Sequence, residues 1–276
     1  IKRKSLNINL RYLKMQKKKK KKEATLEEKV KSLESLKELF KPSLKLPNVK
    51  RVKSYLSGLD EMLYGGLVDG STIIVVGGPG SGKTIMMLQY CYAAAMNGEK
   101  ALFISTNEPI SKLKKHAELF GWKDNKNVKF LFYSPYEIKE IIKEGGTSLL
   151  DLITSEGIAK IALDSLTAIK ISFNTQQEEN EFIYKFFDLF YRMPVTSILT
   201  MEKTDNESFT RWEFMADGII KLRVYALEDY RIRGLEIIKM RDTPFYEHLV
   251  PYYITSKGIQ ILPQGRVYRP KEEILL

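Results

Sequence analysis

Hydrophobic positions from about residue 54 onward alternate between short apolar runs and longer amphipathic stretches. The short runs are rich in β-branched residues, which is typical of buried strands, and the longer stretches repeat apolar residues at helical steps. The predicted strands are Thr72–Val76, Ala101–Ser105, Val128–Tyr133, Ala159–Asp164 and Val195–Thr200. The predicted helices are Thr84–Met96, Ile110–Phe120, a helical zone that ends near Ser155, and Gln177–Tyr191.

Regular alternation of strands and helices gives a largely parallel sheet with helices on both faces. The pattern changes toward the C-terminus, where the strands predicted at Gly218–Tyr225 and Gly234–Met240 follow each other without a helix between them. Two further strands are predicted near Tyr253 and Ile259. Consecutive strands usually pair antiparallel. The predicted fold class is therefore α/β, with an antiparallel C-terminal strand extension.

The first 51 residues do not follow this pattern. Residues 1–23 form a basic leader with six consecutive lysines, Lys17–Lys22, and the repulsion between like charges predicts disorder. Residues 24–40 repeat apolar residues at helical steps and predict an amphipathic helix, followed by a linker to residue 51. The apolar face of this helix would pack on its own domain or dock onto a neighbouring subunit or another protein. Residues 265–276 are expected to form a C-terminal tail.

The net charge of +11 is unevenly distributed along the chain. Residues 1–56 hold 19 Lys and Arg against 5 Asp and Glu, whereas the remaining residues hold 26 against 29. The leader is therefore the basic part, and Lys17–Lys22 is either a solvated tail or an arm for DNA or another anionic partner. No apolar run approaches the roughly 20 residues that span a bilayer. One cysteine and two histidines are too few for a Cys/His zinc site, and these features favour a cytoplasmic protein.

A glycine-rich segment joins the strand that ends at Val76 to the helix predicted from Thr84. Its residues match the P-loop (Walker A) pattern G-x-x-x-x-G-K-[ST] at every fixed position, whereas a merely flexible turn would require neither the lysine nor the flanking elements. They are Gly77, Gly78, Pro79, Gly80, Ser81, Gly82, Lys83 and Thr84. Backbone N–H groups of such a loop bind phosphate together with the helix N-terminus. We therefore expect Gly78–Thr84 to bind ATP, with Lys83 at its β- and γ-phosphates.

The strand Ala159–Asp164 ends in a carboxylate. An apolar strand that ends in aspartate has the form of a Walker B strand, although many other strands also end in this way. We expect Thr84 to ligate Mg²⁺ through its hydroxyl and Asp164 to hold the magnesium shell through water. The cofactors predicted from the residues are thus ATP and Mg²⁺.

The segment Ser57–Leu67, just before the loop, resembles the G-L-D-x-L-x-G-G entry of KaiC-like and RadA-like ATPases of the RecA superfamily. Further segments resemble the KaiC-like branch in the same order along the chain. They are Leu102–Pro109, Asp164–Thr167, Leu199–Glu202, Ala216–Ile220 and Lys239–Arg241. The resemblance covers about residues 52–264. It implies a RecA-like fold, ATP bound between subunits, and head-to-tail self-association into a hexamer.

The first departure from the family pattern concerns water activation. The family has paired glutamates in the segment matched by Leu102–Pro109, and the first of them is the general base for hydrolysis. Asn107 stands at that position here, and an amide does not accept the proton. Glu108 remains as a candidate catalytic residue. It is either a partial substitute or a carboxylate that only favours a helix N-terminus.

The second departure concerns autophosphorylation. Clock-type members of the family carry adjacent Ser and Thr acceptors at the positions of Glu213 and Phe214. Neither of these side chains accepts phosphate. The resemblance is therefore to non-clock members, and we expect no autokinase activity.

Lys239 and Arg241 lie two residues apart on a predicted strand, so both point to one face. Their spacing alone describes a solvated strand edge. The resemblance implies that they are candidate catalytic cations, which reach across a subunit interface to the γ-phosphate of the neighbour's ATP. Asp242 stands where the family usually has glycine and places a negative charge beside Arg241.

The expected function is that of a nucleotide-dependent oligomeric switch or scaffold with slow or absent ATP hydrolysis. Two alternatives remain open from the sequence. One is a DNA-dependent ATPase similar to RadA paralogues, which DNA-stimulated turnover would reveal. The other is an adaptor that binds ATP without turnover and docks a protein partner through the 24–40 helix.

Overall fold

The structure is a computed structural model that describes residues 49–204, 207–226 and 230–267. The expectations for the leader, for the 24–40 helix and for most of the C-terminal tail concern residues outside these ranges.

The strands are β1 (Arg51–Val52), β2 (Leu67–Val68), β3 (Thr72–Gly77), β4 (Lys100–Ser105), β5 (Val128–Phe132), β6 (Ile158–Asp164), β7 (Thr196–Glu202), β8 (Gly218–Ala226), β9 (Arg231–Met240), β10 (Val250–Thr255) and β11 (Gly258–Ile261). The helices are α1 (Leu59–Met62), α2 (Lys83–Met96), α3 (Ile110–Leu119), α4 (Pro135–Lys143), α5 (Thr147–Glu156), α6 (Leu166–Lys170), α7 (Gln176–Arg192) and α8 (Arg211–Met215).

Within the described residues, nine strands form one sheet in the order β11-β10-β9-β8-β3-β7-β6-β4-β5. The strands from β8 to β5 in this order pair in parallel, and β8, β9, β10 and β11 pair antiparallel with one another. β1 and β2 form a separate antiparallel pair. The predicted fold class, a largely parallel sheet with an antiparallel C-terminal extension, is confirmed.

The central strands are apolar on both sides because helices cover both faces of the sheet. On β3, Ile73 and Val75 belong to the core that includes α2, whereas Ile74 and Val76 belong to the core that includes α4, α6 and α7. A continuous apolar run is the pattern expected for a strand buried on both faces. The parallel strands also bring their carboxyl ends to one edge, where ligands bind in open α/β sheets.

Helix α2 is buried almost all round, with every residue from Met86 to Ala95 in the interior. Polar groups on it are tied to the surrounding strands. The Gln89 side chain donates to the Ile259 carbonyl and accepts from the Ile259 N–H, and the Tyr90 hydroxyl donates to the Thr196 carbonyl at 2.9 Å. These contacts fix the helix against the sheet and so fix the loop that precedes it.

Helix α8 is short, yet it is anchored firmly beside α7. Its Trp212 is fully buried, packs against Phe186, and donates its indole N–H to Glu179 at 2.8 Å. A five-residue helix has little stability of its own, so this packing is what holds it. None of the helices that the structure describes is both long and apolar enough to cross a membrane.

Candidate functional site

The glycine-rich loop connects β3 to α2 at the carboxyl edge of the sheet, as predicted. Gly80 and Gly82 adopt φ values of 72° and 93°, a left-handed backbone that favours glycine. A Cβ at Gly77 would lie 2.6 Å from the Leu222 carbonyl oxygen, so the neighbouring strand also requires a glycine there. The Ser81 hydroxyl closes the turn by donating to the Gly78 carbonyl at 2.8 Å. The loop therefore has the backbone form that a phosphate-binding loop needs.

Lys83, the first residue of α2, folds back over this loop. Its Nζ donates to the carbonyls of Gly77 and Gly78 at 2.7 and 2.9 Å. Burial lowers the pKa of Lys83, and the negative charges of Glu202 and Asp164 partly oppose this effect. The lysine ammonium thus lies at the loop, where a phosphate would meet it.

Asp164, at the end of β6, comes together with the start of α2. The Thr84 hydroxyl donates to Asp164 Oδ2 at 2.6 Å, and the Thr200 hydroxyl donates to Oδ1. Hydroxyl and carboxylate oxygens are the ligands that Mg²⁺ prefers. The donor set fits the predicted magnesium ion, and the adjoining loop with Lys83 fits a nucleotide triphosphate. Thr84 and Asp164 would hold the metal, which would neutralise charge on the phosphates.

Asn107 and Glu108 follow β4, and their side chains contact different parts of the structure. Asn107 is exposed and donates its side-chain amide to the Ser165 hydroxyl at 3.0 Å, next to Asp164. Glu108 accepts from Lys112 at 3.1 Å, and its second oxygen lies 3.7 Å from Nδ1 of His116. Both partners of Glu108 belong to α3. The carboxylate is thus engaged with its own following helix, and its catalytic role stays a prediction.

Lys239 and Arg241 both reach the C-terminal end of α8. Lys239 Nζ donates to the carbonyls of Ala216, Phe214 and Glu213 at 2.5, 2.9 and 3.3 Å. Burial, followed by the charge of Arg241, lowers the pKa of Lys239. These carbonyls are the ones that a helix leaves unpaired at its end, where cations are favourable.

Arg241 lies one residue beyond β9 and shares this position. It donates to Asp217 at 3.2 Å and to the Phe214 carbonyl at 3.2 Å. Its acidic partner is thus Asp217, whereas Asp242 contributes a backbone carbonyl to Arg51. The sequence pattern raised Asp242 as a neighbouring negative charge but did not indicate Asp217.

The two cations lie far from the phosphate loop of their own chain. Ile73 on β3 pairs with Gly218, which pairs with Met240 between the two cations. The loop begins at Gly77, at the opposite end of β3. Four residue steps at about 3.3 Å each separate Ile73 from Gly77, or about 13 Å. The site residues predicted from the sequence therefore form two groups. Lys83, Thr84 and Asp164 lie at the carboxyl ends of the parallel strands, and Lys239 and Arg241 lie near the opposite end of β3.

A buried ion pair beside the loop was not predicted. Lys203 and Glu213 are 4% and 1% exposed, and Lys203 Nζ lies 2.6 Å from both carboxylate oxygens. Glu213 also accepts from the Thr210 N–H and hydroxyl, and the Lys203 N–H donates to the Gly77 carbonyl at 3.2 Å. The pair thus ties α8 to the strand that flanks the loop. Only the tertiary fold brings these positions together.

Sequence comparison places this geometry in a family. The family model described as "ATPase: KaiC" matches residues 52–266. A circadian clock oscillator protein KaiC of Picosynechococcus sp. is 28% identical over 236 residues, which are 80% of this chain and 46% of that protein. A UPF0273 protein of Thermotoga maritima is 27% identical over 236 residues, covering 78% of this chain and 97% of that protein. The chain thus spans about half the length of the clock relatives and nearly all of the UPF0273 relative.

Structural comparison agrees. The crystal structure of a KaiC-like protein from the hyperthermophilic archaeon Pyrococcus horikoshii superposes with a TM-score of 0.68 at 27% identity. The match covers 78% of this chain and all of the other. Together with the loop, Thr84 and Asp164 at the sheet edge, these matches confirm the resemblance and the RecA-like fold. The chain belongs to the KaiC ATPase family.

Proposed function

We propose that this protein is an ATP- and magnesium-binding switch whose subunits assemble head to tail around ATP, as a hexamer in the cytoplasm, with slow or absent hydrolysis. The observation that carries the proposal is the division of the candidate site into two groups at opposite ends of β3. Lys239 and Arg241 do not reach the loop of their own chain. A second copy of the chain would supply cations to the ATP at this loop if its Lys239 and Arg241 faced the loop.

Nucleotide would control such an assembly through charge. The γ-phosphate carries negative charge beyond what Lys83 and the metal neutralise, and two cations from a neighbour would compensate it. Within one subunit, the same cations donate to the carbonyls at the end of α8. Linkage then requires that assembly raise ATP affinity by the factor by which ATP favours assembly.

Slow hydrolysis follows from the residues at the end of β4. Asn107 replaces the family's general base, and Glu108 is paired with Lys112. General-base help contributes about 10²–10⁴-fold, so its loss leaves binding intact while turnover falls by a large factor. This combination suits a switch that holds the ATP state for a long time.

Sizing chromatography with light scattering, run on the full chain without nucleotide, with ADP and with Mg·ATP, tests the proposal. We expect a hexamer with Mg·ATP and smaller species in the other two conditions, together with slow phosphate release. A monomer in Mg·ATP at saturating occupancy would contradict it. Turnover stimulated by single-stranded DNA would instead favour the DNA-dependent alternative.

A further inference from the structure

Strand β7 ends in a carboxylate, Glu202, which belongs to the segment Leu199–Glu202 that resembles the KaiC-like branch. Side chains alternate between the two faces of a strand. Ile198 packs in the core that includes α2, and Thr200 donates its hydroxyl to Asp164. Glu202 is the next residue on that face. Its side chain therefore leaves the sheet on the side where α2 and its loop begin.

The sheet register places Glu202 directly beside the loop. Glu202 pairs with Gly77, whose carbonyl accepts from Lys83. The Glu202 N–H donates to the Thr167 hydroxyl at 2.7 Å, which holds the backbone in position. The carboxylate thus belongs to the residue that pairs with the first residue of the phosphate loop.

Other carboxylates near this edge are less accessible to water. Both oxygens of Asp164 accept from hydroxyl groups. Glu108 Oε1 accepts from Lys112, whereas its Oε2 is buried and makes no hydrogen bond with the residues that the structure describes. The exposed side chain of Glu202 makes no hydrogen bond or ion pair with any residue that the structure describes. It is therefore available to a water molecule, and Asn107 leaves the family's usual base position without an acid–base group.

We propose that Glu202 is the general base for the residual hydrolysis of ATP, an inference that rests on the ATP binding proposed above. The water oxygen attacks the γ-phosphorus while its proton passes to the Glu202 carboxylate. The bond between the γ-phosphorus and the bridging oxygen breaks, and its electron pair leaves with ADP. Glu202 then returns the proton to phosphate or solvent, so the step needs no further reactant.

The test compares phosphate release and ATP affinity in native protein, Glu202→Gln, Glu202→Asp, and Glu202→Gln combined with Asn107→Glu. We expect Glu202→Gln to lower turnover at saturating ATP by about 10²-fold or more, the range of general-base help. ATP affinity should be equal or higher, because a negative charge near the phosphates is removed. Glu202→Asp should be intermediate, and adding Asn107→Glu should restore turnover. Glu247→Gln, an exposed glutamate between β9 and β10, is the matched control.

Four results would overturn the assignment. Turnover that survives Glu202→Gln but is lost in Glu108→Gln would return the role to Glu108. A fall in ATP affinity as large as the fall in turnover would mean that Glu202 only positions Lys83. ATP binding without turnover in the native protein would refute the role of Glu202 as a general base but would be consistent with the nucleotide switch. Absence of ATP binding would refute both proposals.

Discussion

Side chains of the phosphate loop donate hydrogen bonds to carbonyls of the same loop, and Lys83 is the main example. Its two hydrogen bonds hold the ammonium at the carbonyls of Gly77 and Gly78. Lys83→Ala should therefore abolish measurable Mg·ATP binding in isothermal titration, while circular dichroism stays native because α2 is held by its buried core. Lys257→Ala, in the exposed turn between β10 and β11, should bind ATP normally. Unchanged affinity in Lys83→Ala would show that nucleotide binds elsewhere.

Asn107 offers a gain-of-function test at the same scale. Its side chain is exposed and contacts Ser165 next to Asp164, so a glutamate fits without repacking the core. Asn107→Glu should raise turnover by tenfold or more, since a general base contributes about 10²–10⁴-fold and Glu202 supplies part of this already. Phosphate release at saturating ATP is the measurement. An equal gain in Asn107→Gln, which adds length without a base, would refute the explanation.

The buried Lys203–Glu213 pair should matter for stability. Removing one partner of such a pair leaves an uncompensated buried charge, which costs about 3–5 kcal/mol. Glu213→Ala should lower the free energy of unfolding in urea by about this amount. The double change Lys203→Met with Glu213→Leu should lose clearly less, because no charge remains buried. Equal losses in both proteins would mean that packing of α8, and not charge, dominates.

At the scale of elements, the strand–loop–helix unit depends on its left-handed glycines. Gly82→Ala places a Cβ at φ 93° and 2.9 Å from the Ile254 Cδ1 atom, whereas at Gly98 the φ is 85° and no atom lies within 4 Å. Both changes should cost about 1–2 kcal/mol of strain. Only Gly82→Ala should also weaken ATP binding, because it shifts the loop donors. Thermal unfolding and ATP titration of both variants separate the two effects, and equal ATP affinities would contradict the prediction.

The main elements were predictable because each combines periodicity with clear ends. The helical zone before Ser155 is in fact two helices, α4 and α5. They separate at Gly146, where φ is 70° and a Cβ would meet the Leu189 side chain at 2.3 Å. The short helices α1, α6 and α8 were not predicted, because stretches of four or five residues carry too little periodicity. Tertiary contacts such as that of Trp212 stabilise them.

The candidate site was predictable where its chemistry lies in one continuous motif. The loop and the Asp164 carboxylate follow from local patterns, and parallel strands bring them to one edge. The hydrogen bonds of Lys239 to the carbonyls at the end of α8 and the ion pair of Arg241 with Asp217 depend on the tertiary structure. No spacing in the sequence indicates them. Glu202 was within reach, since its two-residue step from Thr200 places both on one strand face.

For the whole molecule, the proposed assembly depends on Lys239 and Arg241 together. The double change Lys239→Ala with Arg241→Ala should still bind ATP, more weakly, and should fail to form the ATP-dependent oligomer. Sizing chromatography with and without Mg·ATP measures this. Strand-end cations usually add little stability, but here they also bind α8. Trp212 fluorescence is therefore the control for α8 packing, and an unchanged oligomer would contradict the trans role.

The carbonyls at the end of α8 give the cations a resting position within their own subunit. In the proposed ring, a cation that moves to a neighbour's phosphate leaves these acceptors to water, so amide hydrogen exchange in α8 should become faster. When nucleotide departs, Lys239 would return to the α8 carbonyls, and Arg241 to Asp217 and the Phe214 carbonyl. Ring lifetime would then reflect the difference between binding of the cations to these neutral carbonyls and binding to a neighbour's phosphate, so that each subunit could leave and rejoin repeatedly.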